Sequence, residues 1–535
     1  MEILAGGMRY ERERQRGKGG FRCLLLPHLV GKGELLRRSG QNAARECGCA
    51  PMQGLSRHGH SERLASACTR RWWILRSSLL RRDIANSQRR LRDAVIAEQS
   101  VSCDLLGASL GYQSEATREM ADSIARWFNV DHVSLTSMGS TANIYVIMTY
   151  ICREYPGSPV LCAANCHMSW INAAANLGIP LRFVPAGMAR GFEAVIPPGP
   201  DEFSKAMKKE SDAAAVVITT PTYEGLHVDV ASIVKKVRDV RSDVLIVVDN
   251  AWGWKRGNPV NEGADIAIRS THKMEGALMG ASVLLANTRR IDKDLLVECG
   301  NACYSTSQSC IVLMSIGETY WLWARHEAAL ERAFIEYSQA LKNSLRELGF
   351  QIFEGVHEHH ISHIDPRKVT IKLPKGVIGY KLSEILQQRY RLIAEKAGIA
   401  TITLIVTART LNSPPEKIAD AIARGVEDVE RMSVPEIEIP LSLNKWETLK
   451  AMEAHQAVRC ASRVVDFDHS AGLISASVVV PYPPGIPSII PGQRITQDII
   501  RYLHVLRGIG GHVVAADPSL SKIRVVEEHK NQLLR

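Results

Sequence analysis

The 535-residue chain lacks any run near the roughly 20 consecutive apolar residues that a membrane-spanning helix needs. We therefore predict no membrane partner. Hydrophobic residues make up 45% of the chain and charged residues 23%, which is typical of soluble globular proteins. This composition excludes a wholly disordered chain, a collagen-like repeat and a small disulfide scaffold. The length predicts about three domains.

Cysteine is present without the spacing of a metal site or a disulfide framework. The twelve cysteines are spread along the chain; Cys47 and Cys49 form a C-x-C pair, and three residues separate Cys162 from Cys166. A zinc site would need two suitable pairs, so we predict no bound metal. Free thiols are typical of a reducing compartment, which predicts a cytoplasmic protein.

The net charge of +10 arises in the first part of the chain. Residues 1–95 contain 20 Lys and Arg against 8 Asp and Glu, whereas the remaining 440 residues contain 46 against 48. Residues 96–535 therefore lack the excess positive charge that attracts nucleic acid, and we predict no nucleic-acid partner. We predict that residues 1–95 are a basic, disordered extension; a targeting segment and an artefact of an upstream start codon are the alternatives.

From about residue 104, apolar strand-like segments alternate with amphipathic helical ones. The strand-like segments are apolar on both faces, as in a parallel sheet that is covered by helices on both sides. This pattern predicts an α/β large domain over residues 96–340, with a long helical region near 308–348. Residues 341–535 are predicted to form a smaller α+β domain, which includes a helix near 381–397.

Polar residues follow several of these strands, where ligands bind in open α/β sheets. Lys273 follows one strand; alone it is more often a solvated surface lysine, but desolvation at a sheet edge would make it a nucleophilic amine. Asp249 ends another strand, where it is either a satisfied loop carboxylate or the partner of a pyridinium nitrogen.

The remaining polar residues suit a phosphate and an aromatic ring. Ser140 and Thr141 begin a helix, which is either a plain N-cap or a phosphate site to which Ser270 and His272 add donors. His167 is either a core histidine or a ring that stacks on an aromatic cofactor. No G-x-G-x-x-G follows the first strand and no P-loop motif occurs, so the set fits pyridoxal phosphate better than a nucleotide.

Several segments resemble those of the Orn/Lys/Arg decarboxylase family, a group of fold-type-I enzymes that depend on pyridoxal 5'-phosphate. The similarity runs from about residue 105 to 527. It is carried by the segments SMGSTANIYVIM, NCHMSW, TTPTYEGL, VVDNAWGW, ADIAIRSTHK, YSTSQSCIVLMS and, most specifically, VVVPYPPGIPSIIPGQRIT.

The resemblance implies a role for each matching position. Lys273 would hold the cofactor covalently, Asp249 would pair with its ring nitrogen and His167 would stack on the ring. The remaining cofactor contacts implied are Ser140, Thr141, Ser270 and His272 at the phosphate, Ala251 and Trp252 on the other side of the ring, and Thr306 or Ser305 at the phosphate of a facing subunit. The last contact implies a homodimer with shared active sites, or a larger assembly.

The implied activity is decarboxylation of a basic amino acid (arginine, lysine or ornithine) to the corresponding amine. Two positions depart from the family pattern, Ser477 in place of an acidic residue and Gln493 in place of the glutamate of a Pro-Gly-Glu run; Thr306 also precedes Ser307-Gln308 instead of Ser-Pro. Another pyridoxal-phosphate reaction on the same scaffold, such as transamination or a lyase reaction, and a non-catalytic homologue are the alternatives.

Overall fold

The computed structural model of the chain describes residues 82–91, 115–431 and 439–528. Most of the predicted basic extension lies outside these residues. Its described part, 82–91, forms a helix (α1) in which Arg90 pairs with Glu318 and Asp83 accepts a hydrogen bond of 3.0 Å from His326. An ordered helix therefore precedes residue 95, because its charged side chains find partners on a long helix further along the chain.

The next part of the chain alternates between helices and strands, as predicted. The helices are α2 (Glu115–Phe128), α3 (Gly139–Glu154), α4 (Met168–Leu177), α5 (Pro200–Lys209), α6 (Val230–Arg238), α7 (Thr271–Met274), α8 (Lys293–Cys303) and α9 (Cys310–Glu347). The strands are β1 (His132–Thr136), β2 (Val160–Ala163), β3 (Leu181–Val184), β4 (Gly187–Ala189), β5 (Ala194–Ile196), β6 (Ala215–Thr219), β7 (Leu226–Val228), β8 (Leu245–Asp249), β9 (Ile266–Arg269) and β10 (Ser282–Ala286).

Seven of these strands form the central sheet in the order β1-β10-β9-β8-β6-β2-β3. All pairs from β9 to β3 are parallel, and β10 is antiparallel to both of its neighbours. Along β8, Leu245 and Val247 pack into one buried cluster while Ile246 and Val248 pack into the other. Both faces are thus covered, which explains why the strands are apolar throughout.

The register of the sheet brings the polar strand ends together. Thr219 at the end of β6 pairs with Asp249 at the end of β8, and Asp249 pairs with Ile268 of β9. Ser270 follows β9 directly and is the N-cap of the short helix α7, which carries Lys273. Asp249 and Lys273 therefore lie at the same edge of the sheet, as the sequence predicts.

A second sheet follows the long helix α9. Its antiparallel order is β11-β13-β15-β14, formed by β11 (Gln351–Ile352), β13 (Lys368–Lys372), β14 (Lys396–Ala397) and β15 (Thr401–Ile405), with helices α10 (Gly379–Tyr390) and α11 (Pro415–Asp428); β12 (Ile361–Ile364) pairs instead with β7. The helix predicted near 381–397 is wrong in its second half. It ends at Tyr390 because Arg391 adopts a left-handed conformation (φ 53°), and the chain returns to the sheet as β14.

The last described part packs around helix α14. It contains α12 (Trp446–Leu449), α13 (Ala454–Arg459), α14 (Gln497–Gly508), β16 (Ser462–Asp466), β17 (Val480–Pro481), β18 (Val513–Val514) and β19 (Lys522–Val526). Ile499, Leu503 and Leu506 of α14 recur at helical spacing and lie in one buried cluster. Over the described residues, no helix combines the length and the apolar character that crossing a membrane requires.

Candidate functional site

A cavity of about 460 Å³ lies at the carboxyl edge of the central sheet. Residues of the strand ends line it together with the start of helix α3 and a loop from the last part of the chain. Of the predicted site residues, those that line the cavity are Ser140, Thr141, His167, Asp249, Ala251, Trp252, Ser270, His272 and Lys273. Thr306 does not line it.

Lys273 is held against an aromatic ring in a desolvated setting. Its Nζ lies 4.3 Å from the centre of the Trp252 ring. Burial lowers the pKa of Lys273, while the charges of Asp249 and Glu395 oppose that shift. Desolvation disfavours the ammonium form, so the folded chain favours a more nucleophilic amine at this position than a surface lysine provides.

Asp249 is a buried carboxylate with a donor at each oxygen. The backbone N–H of Ala251 donates to Oδ1 at 3.2 Å, and the indole N–H of Trp170 donates to Oδ2 at 2.9 Å. The two donors hold the carboxylate in one orientation, so the site can present it to a cationic ring nitrogen.

The hydrogen bonds of His167 define its tautomer. The backbone N–H of Ser169 donates to Nδ1 at 3.2 Å, so that nitrogen is an acceptor and the neutral ring carries its proton on Nε2. Burial lowers the pKa of His167, the charge of Asp249 opposes this, and that of Lys273 adds to it. A neutral His167 with a donor at Nε2 follows.

The start of helix α3 forms the part of the cavity that suits a phosphate. Gly139 has φ +74°, which a side chain would strain, and the N-cap Met138 leaves the helix N-terminus without a side-chain cap. Ser140 Oγ lies 2.7 Å from Ser270 Oγ, and Thr141 Oγ1 lies 2.9 Å from Ser169 Oγ. The N–H of Gly139 itself donates to the carbonyl oxygen of Gly280 at 2.7 Å, but the N–H groups that follow it lie beside several hydroxyls, which is a typical anion-binding arrangement.

His272 also lies beside the proposed phosphate site, but it can donate a hydrogen bond to a phosphate only in its charged form. Its Nδ1 lies 2.8 Å from the carbonyl oxygen of Ala281. Because a carbonyl oxygen can only accept a hydrogen bond, Nδ1 carries the proton. The neutral ring then offers only an acceptor at Nε2. Burial lowers the pKa of His272, so donation to a phosphate requires that the anion itself restores the charged imidazolium.

The charged and polar groups of the cavity fit the polar groups of pyridoxal phosphate. Lys273 supplies an amine for the aldehyde, Asp249 supplies a carboxylate for the ring nitrogen, and the start of α3 supplies a site for the phosphate. The Oδ1 of Asn165 and the Oγ1 of Thr219 also lack a hydrogen-bond partner, and both atoms are buried.

The last part of the chain contributes residues that sequence reasoning did not assign to the site. Tyr482, Pro484 and Ile486 line the cavity. The carbonyl of Gly485 accepts a hydrogen bond of 3.0 Å from the backbone N–H of Met168, next to His167. The Pro-Tyr-Pro-Pro-Gly run was the available signal, although its pattern alone does not say which surface it covers.

A second lysine, also missed, lies behind the cavity wall. Lys368 of β13 is 1% exposed, its Nζ makes no hydrogen bond, and it lies 3.6 Å from the centre of the Trp252 ring. Burial lowers its pKa to about 7; Lys273 lowers the pKa further, whereas Asp365, Glu395 and Glu224 oppose the shift. Two amines therefore share the Trp252 ring.

The remaining predicted positions lie away from the cavity. Ser305 and Thr306 are exposed, and their predicted contact concerns a facing subunit, so it stays a prediction. Gln493 is 1% exposed and its Oε1 accepts a hydrogen bond of 3.2 Å from the backbone N–H of Ile490. Ser477 lines a different cavity, between β16, β19 and the chain near Asp517.

Comparison with known proteins identifies the class to which this fold and site belong. The chain belongs to the Orn/Lys/Arg decarboxylase family: the family's major domain matches residues 93–362 and its C-terminal domain matches residues 442–514.

Two named relatives agree with this assignment, and a solved structure shares the fold. The chain is 26% identical to arginine decarboxylase of Bacillus subtilis over 81% of this chain and 91% of that protein. It is 24% identical to inducible lysine decarboxylase of Escherichia coli over 77% of this chain and 71% of that protein. The Francisella novicida lysine decarboxylase LdcF superposes with a TM-score of 0.65 at 17% identity, over 80% of this chain and 74% of that one. The predicted α/β fold class is confirmed.

Proposed function

We propose that the protein decarboxylates a basic amino acid (arginine, lysine or ornithine) to the corresponding amine, with pyridoxal 5'-phosphate as its cofactor. The observation that carries the proposal is that Lys273 and Asp249 line one cavity at the carboxyl edge of the sheet. An amine and a carboxylate so placed can hold an aldehyde and a ring nitrogen of one aromatic cofactor.

The chain's own residues would hold this cofactor in a fixed orientation. Ser140, Thr141, Ser270 and the N-terminus of α3 would bind its phosphate, and Asp249 would hold the proton on the ring nitrogen. His167 and Trp252 would flank the ring. When bound, pyridoxal phosphate supplies the electron sink that lets the bond from Cα to the carboxylate break.

Lys273 and His167 are the groups that can move a proton in the cavity. Burial favours a neutral Lys273, and the neutral His167 carries its proton on Nε2. Because burial makes the ammonium form of Lys273 and the imidazolium form of His167 readier to lose a proton, either charged form could return a proton to Cα after carbon dioxide leaves and would end as the neutral base.

A basic substrate would need a partner for its distal cation. Glu224 lines the cavity and pairs with Lys396, so the cavity wall carries a carboxylate that a second cation could share. Glu395 acts electrostatically on Lys273 but does not line the cavity. The names of the arginine and lysine decarboxylase relatives support this substrate class.

We propose that the working unit is a cytoplasmic homodimer, or a larger assembly, with shared sites. Met279 is 82% exposed although it lines the cavity, and its neighbour Leu278 and the nearby Met138 are also exposed. Apolar side chains grouped at a cavity rim are typical of a protein interface. Thr306 is exposed, as its proposed contact with a facing subunit requires.

A non-catalytic homologue is the second candidate. The observations that favour it are the uncharged Gln493 and Ser477 where the family pattern has acidic residues. Such a protein would bind the cofactor without turning over any substrate.

Product analysis separates these possibilities. Purified protein loaded with pyridoxal phosphate is incubated with arginine, lysine or ornithine, and the products are identified by mass spectrometry. We expect agmatine, cadaverine or putrescine with release of carbon dioxide, and no product from the Lys273→Ala variant. A keto acid product would indicate transamination instead, and no product with bound cofactor would indicate the non-catalytic homologue.

A further inference from the structure

Trp170 lies directly behind Asp249 in the core. It belongs to helix α4, is 0% exposed, and its Nε1 lies 2.9 Å from Oδ2 of Asp249. Trp170 does not line the cavity, so it has no direct access to a ligand there. Its backbone N–H donates to the carbonyl oxygen of His167 at 3.0 Å, as any residue at that position of the helix would, whereas its indole meets the site through the carboxylate of Asp249.

The orientation of the Asp249 carboxylate is set by one hydrogen-bond donor at each of its two oxygens. The backbone N–H of Ala251 supplies a contact at 3.2 Å to Oδ1, and the indole supplies the shorter one to Oδ2. A hydrogen bond to a charged group contributes more than one between neutral groups. Without the indole N–H, the side chain of Asp249 can rotate about the bond that joins it to the backbone.

We propose that Trp170 is a positioning residue that holds the carboxylate of Asp249 in the orientation that meets the ring nitrogen. The inference rests on the proposed function of Asp249. It predicts that the indole N–H, rather than the bulk of the side chain, governs how tightly the cofactor binds.

The chain offers a matched control for this prediction. Trp446 is 2% exposed and packs in the same buried cluster as Trp170, but its Nε1 has no hydrogen-bond partner. Trp170→Phe and Trp446→Phe remove the same atoms from the same core. Only the first change removes a hydrogen bond to Asp249.

The test is a titration of each cofactor-free variant with pyridoxal phosphate, followed by the visible absorbance and circular dichroism of the bound ring. We expect the Kd to rise at least fivefold in Trp170→Phe with a changed dichroic band, and to stay within twofold of wild type in Trp446→Phe. In turnover with the preferred amino acid, kcat falls while KM changes little. Equal effects of the two substitutions overturn the inference.

A double-mutant cycle separates positioning from a general packing effect. In an Asp249→Ala background, Trp170→Phe should weaken the cofactor no further; a loss as large as in the wild-type background overturns the inference. If wild-type protein binds no pyridoxal phosphate, the proposed function itself fails, which is a different result.

A second measurement covers the case in which Trp170→Phe does not fold. The indole N–H resonance of Trp170 is followed in ¹⁵N-tryptophan-labelled protein with the Asp249→Ala substitution. We expect that resonance to move and its hydrogen exchange to accelerate. An unchanged resonance overturns the inference.

Discussion

At the scale of single residues, the ring of Trp252 lies against two buried lysines that differ in their surroundings. Lys273 and Lys368 both lie against this ring, and burial lowers the pKa of each. Indole faces attract cations, but each buried ammonium still loses its hydration. The charge of Asp249 favours the ammonium form of Lys273, whereas the Nζ of Lys368 has no hydrogen-bond acceptor. The two amines therefore differ in how strongly the fold tolerates their charge.

Replacing Lys368 with Met should stabilise the protein in a pH-dependent way. The pKa of Lys368 is about 7 in the folded chain against an ordinary value of 10.5. Between these values the unfolded chain binds more protons, so wild-type stability rises with pH across that window. We expect Lys368→Met to raise the free energy of unfolding by about 2 kcal/mol or more at pH 7 and by less than about 1 kcal/mol near pH 10.

Thermal unfolding of the cofactor-loaded variants from pH 6 to pH 10 checks this expectation. The control is Lys375→Met, because Lys375 is exposed just beyond the same strand. A Lys368→Met gain that is constant with pH would show that Lys368 is already charged and paired in the folded protein.

At the scale of the element, the short helix α7 depends on buried charges at its two ends. Arg269 ends β9, and its Nη1 lies 2.9 Å from Oε1 of Glu275, which directly follows α7. The other oxygen of Glu275 accepts a hydrogen bond of 2.8 Å from Tyr320 of α9. A four-residue helix has little stability of its own, so this network sets the position of Lys273.

Breaking that pair should be costly. Glu275→Ala leaves the guanidinium of Arg269 buried without its counter-charge, and such losses cost about 3–5 kcal/mol. We expect a large drop in the denaturant midpoint. Asp201→Ala, which breaks an exposed pair with Lys236 at a similar 2.8 Å, should give no measurable change. Similar midpoints for both variants would contradict the role of the network.

At the scale of the whole molecule, the site is assembled from segments far apart in sequence. The positions of Asp249 and Lys273 could be predicted because parallel strands end at one edge of a sheet. The antiparallel direction of β10 could not, since a strand buried on both faces has the same apolar pattern in either direction. Lys368 and Tyr482 reach the site through tertiary packing of other sheets and loops, which local periodicity does not encode.

The contact between the C-terminal loop and His167 is the clearest long-range dependence. A Cβ at Gly485 would lie 2.7 Å from Cδ2 and 2.9 Å from Nε2 of His167, and its φ is +88°. Gly485→Ala should displace the His167 ring and lower kcat at least tenfold. Gly472→Ala is the control, because Gly472 has φ +80° but open space at its Cβ. Equal kinetics for the two variants would show that backbone strain, and not the clash with His167, is responsible.

The amine that holds the cofactor can be identified chemically. Wild-type protein is loaded with pyridoxal phosphate, reduced with borohydride so that the link becomes permanent, digested and sequenced by mass spectrometry. We expect the added mass on Lys273, in the segment STHKMEGALMG. The label on Lys368, or no label at all, would contradict this expectation.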